Sequence, residues 1–527
     1  MNFGSTTSAN KQIARAAGTV MLALVLSSLT GLLRQILVAN TFGTQADIDA
    51  FNAANRVSET LFTLIAGGAL ASAFIPVFTD LITRDKRQYA WKLASSIANI
   101  FLVVLIFTSL AALVFAPWIV RNLLAPGFSD NPAQEELAVS LLRLMLPSAV
   151  FFGLSGLLMG ILNSHQIFFI PALAPSMYQL GMIFGILVLT PYMGIYGLAW
   201  GVVLGAGLHM GLQIPYLFRL NARYYSTFGL DNQDVHEVVR LLIPRLFGVA
   251  VVQLNFWVNT YIASRLEEGS LTGIVFAFAL MLMPQAAIAQ SIAIAAMPTF
   301  SAQVALGKLG EMRSSLASTL RGVIYLSIPA ALGLILLRRP IITILYQRGA
   351  FDERSTDLVA WALLWFALGL VSHSLVEILA RAFYALHDTR TPVIVGVGAM
   401  SLNVLLSFIL TALFARAGWM PHGGLALANT IATTLEMGGL IILMRRRLGG
   451  LDGTYIRKGF ITALIGGGVM ALLLVIWISK SSVEPVWLVV LGGILIGALA
   501  YGILLLVMGV SEVRTIIREL SVRLRIT

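Results

Sequence analysis

The chain has 527 residues, of which 58% are hydrophobic and 11% are charged, a composition far from that of soluble globular proteins. Its net charge of +11 comes mostly from basic residues between apolar runs, which does not favour a nucleic-acid-binding protein. Because the sequence contains no cysteine, disulfides and thiolate metal sites are excluded.

Apolar runs recur along the whole chain, and a helix needs about 20 apolar residues to cross a bilayer. They predict an all-α, multi-pass membrane protein with fourteen transmembrane spans, at 14–40, 56–82, 92–116, 137–163, 171–191, 194–218, 238–264, 272–303, 317–337, 357–386, 391–415, 423–444, 459–479 and 486–509. The polar start lacks the features of a cleavable signal peptide, so we expect the first span to be retained. Most Lys and Arg residues fall on one side of the predicted spans, which places both termini in the cytoplasm by the positive-inside rule.

Arg34 lies deep in the first predicted span, after the apolar stretch LVLSSLTGLL. Inserting such a charge costs at least ~2.5 kcal/mol, so a buried Arg normally faces a cavity or a partner. Gly31 shares its helix face and would allow close approach by a ligand or helix. The pattern favours an anion-binding group, for phosphate, in a central path. The alternative is a structural Arg34 that reaches the outer interface or pairs with Asp47 or Asp49.

The start of the second span carries Arg56 and Glu59, three residues apart, and we expect a local ion pair. The nearby triplet Asp47–Asp49 resembles the metal-binding DxD of membrane glycosyltransferases, but the predicted external segments are too short to hold an acceptor. No Ser/His/Asp set, HExxH motif or phosphate-binding Gly loop occurs. We therefore predict a transporter, with no enzyme activity and no cofactor.

The chain also repeats itself at an interval of about 222 residues. The matched positions are Pro76 with Pro298, Phe78 with Phe300, Phe128 with Phe351, and Pro171 with Pro392. Parallel repeats of six spans are typical of transporters with a central path. We predict a first lobe at 1–219, a cytoplasmic linker at 220–237, a second lobe at 238–447, two added helices at 448–510 and a basic tail at 511–527. The tail is expected to be either an amphipathic helix on the membrane surface or only partly ordered.

Charged residues also occur in the second lobe. Arg245, early in span seven, is predicted either to face the cytoplasmic mouth of the path or to anchor the helix at the interface. Glu377 and Arg381 lie four residues apart in span ten and are expected to pair. The pair either holds the lobe together or couples transport to protons or to membrane potential.

Several motifs occur together, in the order GLLRQILVANTFG (31–43), DAF (49–51), GGALASAFIPVF (67–78), LLAPGF (123–128), GILNSHQIFFIPALAP (160–175), NTYIASRLEEGS (259–270), LYQRGAF (345–351) and ARAFYALHDTRTP (380–392). Over nearly the whole chain they resemble the MurJ (MviN) family of lipid II flippases, in the superfamily that includes the MATE exporters. The resemblance implies a V-shaped pair of lobes with a cationic cavity, and a groove for a polyprenyl tail beside the two added helices.

The resemblance also implies roles for individual residues. Arg34 matches the cavity arginine of the family, and Asp49 matches the acid that helps to gate the external side. We assign Arg34, Arg56, Arg245, Ser28 and Gly31 to substrate binding, and Asp49 with Glu59 to the gate. Other cavity arginines of the family fall on Ser28, Phe62 and Ala279, and its second gate acid falls on Gly67. A diphosphate would therefore meet fewer cations here.

The resemblance favours a monomeric flippase of the bacterial cytoplasmic membrane. We expect it to bind lipid II and membrane lipids. We expect cell-wall synthesis proteins as its protein partners, and no nucleic acid. One alternative is a carrier of another polyprenyl-linked glycan or of an amphipathic cation, as MATE exporters are. The other is a scaffold for cell-wall synthesis that transports nothing.

Overall fold

The computed structural model describes residues 6–66, 69–481 and 484–510, and these residues form long helices with no β-strand among them. The predicted all-α membrane fold is thus confirmed. The chain divides into two compact units, one ending at Leu271 and the other beginning at Thr272. The predicted tail helix at 511–527 lies outside the described residues.

The first unit is built from helices that run through the predicted spans one to seven. Their bounds are α1 (Thr6–Phe42), α2 (Ala46–Ala66), α3 (Ala69–Thr83), α4 (Arg87–Ile119), α5 (Pro132–Ser164), α6 (Phe169–Phe184), α7 (Thr190–Met193), α8 (Ile195–Gly211), α9 (Ile214–Arg219) and α10 (Gln233–Ala263). A π-helical turn at Val120–Leu124 continues α4, and another at Gly185–Leu189 joins α6 to α7.

The second unit holds the remaining helices. Their bounds are α11 (Ser270–Gln285), α12 (Ser291–Ala305), α13 (Leu309–Tyr346), α14 (Glu353–Leu368), α15 (Leu370–Ala385), α16 (Arg390–Arg416), α17 (His422–Arg447), α18 (Gly453–Lys480) and α19 (Val486–Val507). A π-helical turn at Ala286–Gln290 joins α11 to α12.

Within the described residues, twelve helices are long and apolar enough to cross a membrane, or thirteen if α14 and α15 form one bent span. The predicted number of fourteen is therefore not confirmed. Span ten is α14 and α15, which meet at Gly369 with a bend of 47°. Span two covers α2 and α3, on either side of residues 67–68. Those two residues lie outside the described part of the chain.

Glycines allow α6 and α8 to pack with their backbones in contact. A Cβ on Gly181 would lie 2.2 Å from the Cα of Gly205, and one on Gly185 would lie 2.5 Å from the carbonyl oxygen of Gly197. No side chain fits in these gaps. Small residues are the usual means of close helix approach within membranes, and here they fix α6 in the position from which it reaches α1.

The predicted linker between the lobes lies along α4. The amide of Tyr225 donates to Ser95 Oγ at 3.1 Å, and Asn99 Nδ2 donates to the carbonyl oxygen of Thr227 at 2.8 Å. After the linker, α10 packs against α2 and α3 within the first unit. The division into six-span lobes stays a prediction.

In the second unit, α13 forms the centre against which α18 and α19 pack. Gly467 of α18 approaches Leu332, and Gly493 of α19 approaches Leu337. Tyr501 and Met470 lie in the buried core that these three helices share with α15 and α17. The two added helices are therefore an integral part of this unit.

Candidate functional site

Arg34 is half-buried on the side of α1 that packs against α6. One of its terminal nitrogens contacts Met182 Sδ at 3.6 Å, and its Nε is buried without a hydrogen-bond partner. A Cβ on Gly31, one turn earlier, would lie 3.6 Å from Gln179 Nε2. Among the described residues Arg34 makes no ion pair, so the predicted alternative of pairing with Asp47 or Asp49 is not formed. A guanidinium inside the first unit is left with its charge uncompensated.

Glu59 is the centre of a second polar group on α2. Its Oε1 accepts from Asn55 Nδ2 at 3.0 Å, and its Oε2 accepts from an Arg56 guanidinium nitrogen at 2.8 Å. The two partners lie four and three residues earlier, which puts all three on one helix face. The predicted ion pair is present, and the Glu59 side chain is 43% exposed while that of Arg56 is 15% exposed.

Tyr178 of α6 connects these two groups. Its hydroxyl lies beside the Asn55 side chain and within electrostatic range of both Glu59 and Arg34. Asn55 itself is 5% exposed, with its Oδ1 unpartnered. We call Arg34, Asn55, Arg56, Glu59 and Tyr178 the first-unit polar cluster.

Helix α10 closes one side of this cluster. The guanidinium carbon of Arg56 lies 5.1 Å from the centre of the Phe256 ring, and Trp257 Nε1 donates to Thr60 Oγ1 at 2.8 Å. An Arg over an aromatic face is stabilised by the electrostatics of the ring. The sequence did not single out Asn55, Tyr178, Phe256 or Trp257. Each is ordinary on its own helix, and only packing brings them together.

The charges in the cluster do not all balance. Glu59 compensates Arg56, whereas Arg34 has only a thioether and a nearby phenol. A buried guanidinium offers five donors and no acceptor, in a geometry that suits phosphate and carboxylate. The arrangement can therefore bind one anionic group directly, with neutral hydrogen-bonding groups around it.

A set of contacts joins the first turn of α2 to the segment between α10 and α11. Asp49 is 3% exposed, and its Oδ2 accepts from the amide of Gly269 at 2.8 Å. Glu268 Oε1 accepts from the amide of Ala46 at 2.8 Å, at the N-terminal end of α2, where the helix dipole favours a negative charge. We call Ala46, Asp49, Glu268 and Gly269 the loop clasp. By the predicted topology, it lies on the external side.

A neighbouring loop packs against the same segment. The amide of Gly127, in the APGF motif, donates to Ser264 Oγ at 3.2 Å. A Cβ at Gly127 would lie 2.0 Å from the carbonyl oxygen of Ser264, so only glycine fits there. The segment after α10 is thus held from two directions.

The other predicted binding residues lie apart from the polar cluster. Arg245 is exposed on α10, about three turns before Phe256, and Ser28 is exposed on α1, about two turns before Arg34. Phe62, where the family has an arginine, stacks in an aromatic group, with ring centres 4.4 Å from Phe152 and 5.9 Å from His209. Its surroundings suit an aromatic ring.

In the second unit, Glu377 and Arg381 form the predicted ion pair on α15, at 2.9 Å, with side chains 25% and 35% exposed. One turn earlier, His373 Nε2 lies 2.9 Å from Asn429 Oδ1 of α17. His373, Glu377 and Arg381 thus lie on one face of α15, at intervals of four residues. Whether the ion pair serves packing or coupling stays a prediction.

Comparisons with known proteins agree over most of the chain. The model of the family "Lipid II flippase MurJ" matches residues 38–495. A Burkholderia cenocepacia protein named lipid II flippase MurJ is 31% identical over 441 residues, which are 82% of this chain and 84% of that protein. A Vibrio cholerae protein named probable lipid II flippase MurJ is 30% identical, over 81% of this chain and 82% of that protein.

Solved structures give the same result for the fold. A lipid II flippase MurJ in an inward closed conformation superposes with a TM-score of 0.79 at 26% identity, covering 92% of this chain and 97% of that one. An inward-facing MATE multidrug transporter superposes with a TM-score of 0.69 at 15% identity, covering 83% and 99%. This second likeness supports a shared fold only.

Proposed function

Because the chain belongs to the lipid II flippase MurJ family, we propose that it carries lipid II from the inner to the outer leaflet of a bacterial cytoplasmic membrane. The family consists of flippases, so the protein is a transporter and not an enzyme. Relatives and a solved structure that bear this name match most of the chain. We further propose that transport proceeds by alternating access, with both termini in the cytoplasm.

The observation that carries the site assignment is the uncompensated guanidinium of Arg34. A diphosphate carries about two negative charges, and removing them from water without a cation would cost several kcal/mol. Arg34 supplies one cation, and its two terminal nitrogens can bind one phosphate in a bidentate manner. Tyr178 and Asn55 supply neutral hydrogen-bonding groups beside it. We propose that this site depends more on neutral groups than the arginine-rich cavity implied by the resemblance.

We assign the gate role to the loop clasp. Its contacts hold the first turn of α2 to the segment between α10 and α11. Releasing lipid II on the external side would require these hydrogen bonds to separate and to form again in the next cycle. Asp49 is the member whose carboxylate is fully buried in the clasp.

Complementation of a bacterium depleted of its own flippase tests the function and the site together. The wild-type chain should restore growth, Arg34→Ala should not, and Arg34→Lys should restore it only in part, because a lysine keeps the charge and loses the bidentate geometry. Arg143→Gln is the matched control, since Arg143 is exposed and donates to the carbonyl oxygen of Leu113. Membrane levels of all variants must be equal.

The outcomes separate the alternatives. Failure of the wild-type chain would count against lipid II as the cargo, whereas full growth with Arg34→Ala would remove Arg34 from the site. Growth with every transport-deficient variant would indicate the non-transporting scaffold. Since the cargo would be made and used by other membrane enzymes, cell-wall synthesis proteins are the partners we expect, and we expect the transporter itself to be a monomer.

A second cargo is favoured by one feature of the cluster, the 43% exposed side chain of Glu59. A carboxylate in a binding site suits an amphipathic cation, and it would repel a diphosphate. Direct binding of lipid II and of a lipophilic cation to the purified chain distinguishes the two. Tighter binding of the cation, lost in Glu59→Gln, would establish the second cargo and contradict the first.

A further inference from the structure

The C-terminal end of α17 carries a stretch of three consecutive arginines whose surroundings differ. Arg445, Arg446 and Arg447 are all exposed in the last turn of the helix. Arg447 lies within electrostatic range of the Asp388 carboxylate. Arg445 and Arg446 make no ion pair or side-chain hydrogen bond to any residue in the described part of the chain, so two adjacent positive charges stand uncompensated.

These two arginines line a hollow of about 390 Å³, together with Ile442, Gly449 and Gly450. Ile442, Arg445, Arg446 and Gly449 follow the spacing of a single helix face. The opposite face, with Met444 and Leu448, is buried in the core of the second unit. The hollow therefore lies on the outward face of α17, away from the core of the second unit.

Backbone geometry keeps the hollow open above the arginines. Gly449 has φ of +65° and Gly450 has φ of +143°, both in the region that favours glycine, and the Gly450 amide donates to the carbonyl oxygen of Arg445 at 2.9 Å. No side chain fills the space at Gly449, where an added Cβ would meet nothing within 4 Å. The chain thus turns away towards α18 and leaves the guanidinium groups accessible.

Asp452, the acidic residue of this turn, already forms an ion pair with Arg313. Asp452 Oδ1 lies 3.1 Å from Arg313 Nε, and Arg313 borders Gly450 on the far side of the turn. Arg445 and Arg446 therefore give the opening of the hollow, its cationic mouth, a positive charge that Asp452 does not neutralise. About one turn below it, Ile442 is 56% exposed and forms an apolar floor, and Leu435, two turns further along the same helix, is also 56% exposed.

We infer that this hollow binds the headgroup of an anionic phospholipid, with Arg445 and Arg446 on the phosphate and the acyl chains along Ile442. A phosphodiester with an adjacent apolar chain matches a cationic mouth above an apolar floor. Clusters of Lys and Arg at the cytoplasmic end of a transmembrane helix attract anionic lipids, and the predicted topology puts the end of α17 on that side. Arginines in the last helical turn also complement the helix dipole, but this effect requires neither a hollow nor an apolar floor.

Native mass spectrometry of the full-length chain, titrated in neutral detergent with phosphatidylglycerol, tests the inference. We expect a bound lipid whose affinity falls about tenfold or more in Arg445→Gln/Arg446→Gln. The matched control is Arg457→Gln/Lys458→Gln, which removes two exposed charges from the start of α18 outside the hollow. Ile442→Trp keeps the charges and fills the floor, and it should also weaken binding.

Two further arms identify the ligand. Phosphatidylcholine should bind much more weakly than phosphatidylglycerol, and inorganic phosphate should not displace the lipid at equal concentration. Equal losses in the two double variants would mean diffuse attraction to charge and would overturn the site. Unchanged binding in Arg445→Gln/Arg446→Gln would overturn it as well, and displacement by inorganic phosphate would show an anion site that does not recognise lipid.

Discussion

At the level of single residues, the proposed cargo site depends on a cation that the protein leaves without a counter-ion. Arg34 contacts a methionine sulfur, whereas Arg56 has both a carboxylate and an aromatic ring. A guanidinium surrounded by uncharged neighbours can bind an anion, because no carboxylate of the described residues is already paired with it. Its uncompensated charge also makes it costly to the folded protein, which is typical of a functional residue within a membrane.

Tyr178 should matter to the cargo more than to the fold. Tyr178→Phe removes only the hydroxyl beside Asn55, Glu59 and Arg34, so we predict weaker lipid II binding, by about tenfold or more for a lost hydrogen bond to a charged group. Binding to the purified variants is the measurement. Tyr196→Phe is the control, because Tyr196 is exposed on α8. Equal affinity of the Tyr178 variant and the wild type would remove Tyr178 from the site.

Asp388, between α15 and α16, gives a prediction about pH. The amide and the hydroxyl of Thr391 donate to its carboxylate at 3.0 and 2.7 Å, which lowers the pKa of Asp388 below its usual value. A lowered pKa in the folded state stabilises the protein above the pKa of the unfolded chain, and this contribution is lost as the pH falls through the folded pKa.

The melting temperature of the wild type should therefore fall more, between neutral and acid pH, than that of Asp388→Asn. Asp85→Asn, which changes an Asp side chain that is 90% exposed, serves as the control and should follow the wild type. Parallel pH profiles for wild type and Asp388→Asn would show that this carboxylate does not contribute.

At the level of elements, the contact between α6 and α8 sets the position of the polar cluster. Gly205 faces the carbonyl oxygen of Tyr178, at 2.5 Å from an added Cβ, while Gly207 on the same helix meets nothing within 4 Å. We predict that Gly205→Ala destabilises the protein by about 1–3 kcal/mol through overpacking. Thermal unfolding in detergent should show no such loss for Gly207→Ala. Similar melting temperatures for the two variants would contradict this packing.

The sequence predicts the helices well because each apolar run is a local feature. Every predicted span falls on one or two helices, and the bend at Gly369 in span ten was not predicted because a continuous apolar run does not reveal a bend. The ion pairs Arg56–Glu59 and Glu377–Arg381 were also predictable, since each lies within one helical turn.

The cluster around Arg34 could not be predicted in full. Tyr178 and Phe256 come from helices far along the chain, and nothing in their local sequence distinguishes them from packing residues. The same holds for Gly181 and Gly205, whose role depends on which helices meet. The partner of Asp49 could not be predicted either, because it is a backbone amide that any residue could supply.

At the level of the whole molecule, the loop clasp should open and close with transport. The chain has no native cysteine, so Ala46→Cys/Glu268→Cys introduces the only reactive thiols. Bridging them with a short, reducible thiol reagent should stop lipid II transport, and a reductant should restore it. Each single-cysteine variant treated with the same reagent is the control. Transport at the wild-type rate by the bridged protein would rule out movement of the clasp.

The most direct test of the account is lipid II translocation in liposomes that contain only the purified chain. The wild-type protein should move lipid II between leaflets, and Arg34→Ala should do so at least about tenfold more slowly, the loss expected for a charged hydrogen bond worth about 1.5–3 kcal/mol. Arg143→Gln should behave as the wild type. No translocation by the wild type, or equal rates with Arg34→Ala, would contradict a flippase that holds its cargo through this guanidinium.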